Sequence, residues 1–209
     1  MRKNLLKQMT LALLLTVAVP YAKSQVAHVG DILCTTGVYV SPAEYENSGL
    51  EALGVIFYVD ETGQHGWAVA LEDEGYFIWS SYSLYGPTPL PAFSSSRAAI
   101  YDLNGQFNTQ EVLSYGSDHN YSYPAFEALD VANGWYLPAL GQLNYLYGNL
   151  VEVNAGLNAA GGSVFNMTGS WCYWSSTKTN SHVWFLNESG SLNSTGYTVE
   201  YRVRGVRNF

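Results

Sequence analysis

Basic residues are scarce in this chain, with nine Lys and Arg against 17 Asp and Glu over 209 residues, a formal net charge of −8. Nucleic-acid binding depends on Lys and Arg neutralising phosphates. Such a charge balance excludes nucleic acid as a partner, and the same repulsion excludes anionic membrane surfaces. Cysteine is almost missing: Cys34 and Cys172 are the only two. No His-Glu-x-x-His and no Cys/His pair at ligand spacing occurs, so no zinc site is expected. The ordered acidic pattern of a calcium loop is also missing, and Glu72-Asp73-Glu74 reads as a solvated charge run. No Gly-x-Ser-x-Gly elbow is present, and His28, His65, His119 and His182 fall in loops or on one strand. No catalytic residue, metal or cofactor is therefore expected. Glycosidase carboxylates act by their separation in space, which sequence does not carry, and a hydrolase stays as the least favoured reading.

Long hydrophobic runs are absent beyond residue 19. The run from Met9 to Val19 is broken only by Thr10 and Thr16, follows a basic start (Arg2, Lys3, Lys7) and ends at Pro20. It is too short for a membrane span, which needs about 20 apolar residues. With Ala22 and Ser24 as small residues before Gln25, residues 1–24 read as a secretory signal peptide. The mature chain, 25–209, then has no transmembrane segment, and periplasmic, cell-surface or extracellular placement is expected. The leader takes four bases (Arg2, Lys3, Lys7, Lys23) and no acid, leaving five bases against 17 acids, a net charge of about −12. In an exported chain the two cysteines read either as a disulfide or as two separate buried thiols.

Aromatic residues are plentiful: 17 Tyr, 6 Trp and 8 Phe, with only 12% of the chain charged. That composition belongs to an ordered globule of one domain. The stretch that organises it is Asn133-Gly134-Trp135-Tyr136-Leu137-Pro138-Ala139-Leu140-Gly141-Gln142-Leu143, read with Trp171-Cys172-Tyr173-Trp174. Each buried ring removes roughly 150–250 Å² from water, enough to seed a core.

Along the chain, Ile32 and Leu33 suggest a short opening strand. Residues 54–59 and 67–71 are β-prone runs around a Gly-containing loop, a hairpin covered on both faces, with His65 on its turn. Residues 82–97 hold Pro87, Pro89 and Pro91 and read as an irregular surface segment. Asp118-His119-Asn120 lies in what reads as a solvated Tyr/Ser/Gly-rich loop. Pro124 to Ala132 predicts a helix closed by Gly134. Leu140, Leu143, Tyr147 and Leu150 share one helical face, continued by Val153 and Leu157 after a break at Gly148. Strands are expected over 173–177, 182–187 and 201–208, the last with a bulge at Gly205. Arg202, Arg204 and Arg207 on it are expected to pair with acids of the N-terminal half, with anion binding as the minority reading.

Three motifs taken together, Gly134-Trp135-Tyr136-Leu137-Pro138, Tyr173-Trp174-Ser175-Ser176-Thr177 and Val203-Arg204-Gly205-Val206-Arg207, resemble a bacterial family also found at the C-terminus of Legionella collagen-like proteins. The hairpin run from Gly54 to Gly66 resembles the N-terminal half of its secreted Bacteroidetes members. The resemblance spans roughly residues 29–209 and implies an α+β, C-type-lectin-like fold with antiparallel hairpins, a small twisted sheet and two to three helices, distantly similar to the sulfatase-modifying factors that make formylglycine. That chemistry needs paired cysteines near the C-terminal core, where this chain has Cys172 alone. The family often shows Leu-Pro-Ser with an acid or amide three residues later. Ala139 stands in the serine's place here, so half of that capping box is missing. The motifs of calcium-dependent sugar binding (Glu-Pro-Asn or Gln-Pro-Asp with Trp-Asn-Asp) do not occur.

From Ser175 to Tyr197 the chain is rich in Ser, Thr, Asn, Tyr and Gly. Binding loops favour such adaptable polar groups beside rigid aromatics, although solvated β-turns use the same residues. Lys178, Asn180, His182, Asn187, Asn193 and Tyr197 are the expected contacts for a protein or glycan ligand, in an adhesion role. The competing expectation is an accessory subunit of a cell-surface fibre or envelope assembly.

Overall fold

In the computed structural model, the described residues are 26–81, 89–166 and 168–209, so the predicted leader, 1–24, lies outside them. In chain order the elements are β1 (Ile32–Cys34), β2 (Tyr39–Val40), α1 (Pro42–Tyr45), β3 (Ala52–Val59), β4 (Gly66–Ala70), β5 (Gly75–Ile78), α2 (Ser96–Ala99), α3 (Gly105–His119), α4 (Pro124–Glu127), α5 (Leu140–Gly148), α6 (Leu150–Ala159), β6 (Cys172–Lys178), β7 (Val183–Asn187), β8 (Leu192–Thr195), β9 (Glu200–Val203) and β10 (Val206–Asn208). The fold is α+β, with two five-stranded sheets ordered β10-β4-β3-β1-β2 and β5-β9-β6-β7-β8. The helices and sheet content among the described residues exceed the two to three helices and one small sheet expected.

The hairpin β3–β4 forms where the two apolar runs predict it, paired from Gly54 opposite Ala70 to Val59 opposite Gly66. Its alternation splits two faces. Val55, Phe57 and Val69 point to α5 and α6 and join Leu143, Leu146, Leu150, Val153 and Leu157 in one core. Helix α6 comes close because of Gly156, where a Cβ would sit 2.5 Å from the Gly30 carbonyl oxygen and 2.7 Å from Val55. Ile56 and Ala68 point the other way, with Leu33 and Ala27. The second core lies on the other sheet, where Trp79, Tyr123, Phe126, Trp174 and Val203 are fully buried. The indole N–H groups of Trp79 and Trp174 donate to the carbonyls of Ser175 (2.9 Å) and Phe77 (2.7 Å), which removes the cost of burying them.

The Trp-Tyr-Leu-Pro stretch stitches these parts together. Tyr136 and Val206 exchange both backbone hydrogen bonds (2.9 and 3.0 Å), Leu137 N–H donates to Thr109 Oγ1 on α3, and the Pro138 carbonyl accepts from Ser176 N–H on β6. The missing serine at position 139 is replaced from a distance. Gln142 Oε1 still accepts from Ala139 N–H (2.9 Å), while Thr177 Oγ1 accepts from Leu140 N–H (2.8 Å) and the Asp102 carbonyl from Gly141 N–H (3.0 Å). The first N–H groups of α5 are thus satisfied by neighbouring elements.

Several expectations are corrected. The predicted helix over 124–132 is α4 followed by a 3-10 turn at Val131–Asn133, closed by Gly134 at φ 87°. The predicted strand over 201–208 is two strands in different sheets: the chain leaves β9 at Arg204-Gly205 and enters β10, which is a crossing between layers rather than a bulge. Asp118 and His119 close helix α3 rather than sitting in a loop, and Asn120 caps it in the left-handed region (φ 56°). The Pro-rich segment is described only in part; there Ala92 bridges Lys178 and 96–99 form α2.

Candidate functional site

The C-terminal surface divides into side chains that face solvent and side chains that do not. Asn180, His182 and Asn193 are exposed. Asn180 and His182 sit at the β6–β7 turn, whose backbone is fixed by Thr179 N–H donating to the His182 carbonyl and by Thr179 Oγ1 accepting from Ser181 and His182 N–H. Asn193 sits opposite Phe185 on the edge strand β8. Asn187 is half-buried at the far end of β7, and its Oδ1 accepts from Ser189 N–H, Ser189 Oγ and Ser191 N–H, so it holds the β7–β8 turn.

Lys178 and Tyr197 correct the expectation. Lys178 is buried, donates to the Thr179 carbonyl (3.2 Å), and burial holds its ammonium below the ordinary lysine range. Tyr197 is buried 5.5 Å from the Trp79 ring, and its backbone carbonyl accepts from Trp79 and Ser80 N–H. Composition marks polar residues without saying which way a strand turns them. The two cysteines are free thiols: Cys34 is buried in the first sheet and Cys172 half-buried at the start of β6, each pushed up by burial.

Arg202 and Arg204 find the acid of the N-terminal half that their sequence predicts, and it comes from the run that reads as solvated. Asp73 accepts the Tyr173 hydroxyl through both oxygens (2.8 and 3.0 Å) and pairs with Arg202 (2.8 Å) and Arg204 (3.5 Å). Arg204 is 3% exposed, stacks over Phe165, and donates to the carbonyls of Ala70 and Leu71. This cluster ties the β4–β5 connection to β6 and β9. Arg207 differs. It stacks over Trp135 (5.4 Å), makes no ion pair among the described residues, and its buried Nε has no hydrogen-bond partner there.

Three concave regions stand out. One of about 310 Å³ brings His28, Asp31 and Glu44 together, the acid-and-histidine grouping a hydrolase would need. Both carboxylates are committed to the backbone: Asp31 accepts from His28 N–H (2.9 Å), and Glu44 caps α1 from Ser41 N–H and Oγ. Burial raises Asp31, while the Ser41 hydroxyl and N–H lower Glu44. A second, about 510 Å³, lies beside the end of α3, where Tyr115, His119 and Tyr121 stack in parallel. Its Glu127 is likewise held by Ser122 Oγ and Tyr123 N–H.

The third region, about 500 Å³, lies on the open face of the first sheet, between Leu33, Tyr39 and Leu53 on one side and Arg207 and Phe209 on the other. The Asp60 carboxylate fixes the loop at its end by accepting from Thr62, Gln64 and His65 N–H, which sets Gln64 and His65 on the rim. Neither the arginine's freedom nor this cleft was legible beforehand; only the minority anion-binding reading of the three arginines touched it. Among the described residues no group of three or more His, Cys, Asp or Glu is placed to hold a metal ion, and no helix is long and apolar enough to cross a membrane. In comparisons with known proteins, no family model matches the chain and no curated protein matches it.

Proposed function

We propose that the protein is an exported, non-enzymatic binding domain of C-type-lectin-like fold that grips a protein or glycan through its C-terminal turns. The observation that carries this reading is that Asn180, His182 and Asn193 stand exposed on β6–β8, whose central strand β7 is buried from Val183 to Leu186. A rigid support lets polar tips bind without the cost of ordering a loop. The leader-like residues 1–24 support export, and the acidic surface supports a ligand other than nucleic acid.

On glycan and host-protein arrays, the purified protein binds at least one ligand above background. The triple variant Asn180→Ala/His182→Ala/Asn193→Ala loses that binding while its melting temperature is unchanged. A blank array, or binding untouched by the triple change, sinks the proposal. The fibre-subunit reading draws on β8 itself: it is a sheet edge of uncharged residues, Leu-Asn-Ser-Thr, without a charged or proline guard. That reading requires co-purification with envelope proteins, lost when Ser194→Pro blocks the edge.

A further inference from the structure

The open face of the first sheet has a chemistry of its own. Leu33 lies at its apolar base in one cluster with the buried Ile56 and Ala68, and Tyr39, Leu53 and Phe209 pack around them. The rings of Tyr39 and Phe209 meet edge to face at 5.9 Å, which puts an aromatic wall across the cleft. Among the described residues no Asp or Glu side chain lines the cleft, although the chain carries 17 of them. Among the described side chains that line it, the one permanent charge is Arg207, which makes no ion pair among the described residues and whose guanidinium carbon lies 5.4 Å from the centroid of the Trp135 ring. The other two arginines of the same segment are both engaged by Asp73.

Gly54 and Gly205 leave the room for this arrangement. A Cβ at Gly54 would stand 3.3 Å from the Trp135 ring and 2.5 Å from the Val69 carbonyl oxygen, and one at Gly205 would stand 3.2 Å from the same ring. The indole therefore lies against the sheet at Gly54 and Gly205, with the Arg207 guanidinium beside its ring and the buried Nε without a hydrogen-bond partner among the described residues. A guanidinium offers paired N–H donors matched to a carboxylate, and stacking on an aromatic ring pre-orients it.

We infer that this cleft binds a carboxylate carried on an apolar body, with Arg207 taking the carboxylate and Leu33, Leu53, Tyr39 and Phe209 covering the body. A volume of about 500 Å³ suits a small organic acid or the hydrophobic C-terminal residue of a peptide. These two sources share the recognised chemistry. The site is separate from the turns at Asn180 and Asn193, so it stands or falls independently of the binding proposed there.

The test is a titration of the full mature protein, followed by amide NMR, with phenylacetate and isovalerate, their uncharged amides, and acetyl-glycyl-phenylalanine. Saturable shifts are expected at Leu33, Leu53, Arg207 and Phe209, with each acid binding about tenfold tighter than its amide. Arg207→Gln removes the acid-over-amide preference, and Arg207→Lys restores part of it. Tighter binding of the peptide than of phenylacetate names a peptide terminus as the source, and the reverse names a free acid; either supports the inference. Equal binding of acid and amide by the wild-type protein overturns it without recourse to a variant. So do shifts confined to other surfaces, or no saturable shift with any of the five compounds.

Discussion

At the scale of single residues, two buried charges of opposite circumstance decide much of the behaviour. Asp73 is the only acid that Arg204 meets within ion-pair distance among the described residues, and Arg204 is almost wholly buried. Removing one partner of a buried pair leaves the other charge uncompensated, which costs about 3–5 kcal/mol. Asp73→Ala is therefore expected to lower stability by about 3 kcal/mol in urea denaturation, since the carbonyls of Ala70 and Leu71 still engage the guanidinium. Lys178 has no such partner among the described residues. Burial lowers its pKa below the ordinary 10.5, so between its folded value and 10.5 the unfolded chain binds more protons and stability rises with pH. Tyr123, Tyr136 and Tyr173 are raised by burial and act in the opposite sense above about pH 10, where the unfolded chain loses their protons first. The difference between wild type and Lys178→Met isolates the lysine: the variant is more stable near neutrality, and its advantage shrinks as pH climbs toward 10.5. An advantage independent of pH over that range would exclude this account.

At the scale of elements, helix α5 depends on a cap it does not own. Thr177 Oγ1 accepts from Leu140 N–H and its hydroxyl donates to Asp102 Oδ2 (2.8 Å), which also accepts from Asn108 Nδ2 (3.0 Å). Thr177→Val keeps the shape and removes both bonds, at a cost of about 1–2 kcal/mol. Thr177→Ser restores most of that loss in thermal denaturation; a serine variant no better than valine would place the effect in packing instead. The same network explains what sequence hid. Helices α5 and α6 and the β3–β4 hairpin were legible because their buried residues are apolar at helical or strand spacing. Helix α3 was not, because the face it buries is Gly105, Asn108, Thr109, Val112 and Gly116, mostly small or polar. Hydrophobic periodicity cannot register a face whose burial is made tolerable by Asp102, Ser176 and the Leu137 N–H. Strands β5 and β8 are four residues each, too short for alternation to stand out, and composition alone puts Lys178 and Tyr197 on the surface.

At the scale of the whole molecule, no disulfide ties the two sheets together. Both thiols of the folded protein are free, so reductant is expected to leave the melting temperature unchanged, and alkylation in denaturant without reduction should label both cysteines by mass. A shift of the size that follows loss of a native disulfide, about 2–5 kcal/mol, would contradict this. Beside the Trp-Tyr-Leu-Pro stretch and the Asp73 cluster, one further segment joins the two sheets. Residues 200–208 give β9 to the second sheet and β10 to the first, and β10 in turn receives Tyr136 from the centre of the chain. Neither layer is complete until that segment has emerged from the ribosome, so an N-terminal portion of the nascent chain has no finished sheet to settle into. Such late, long-range closure slows folding.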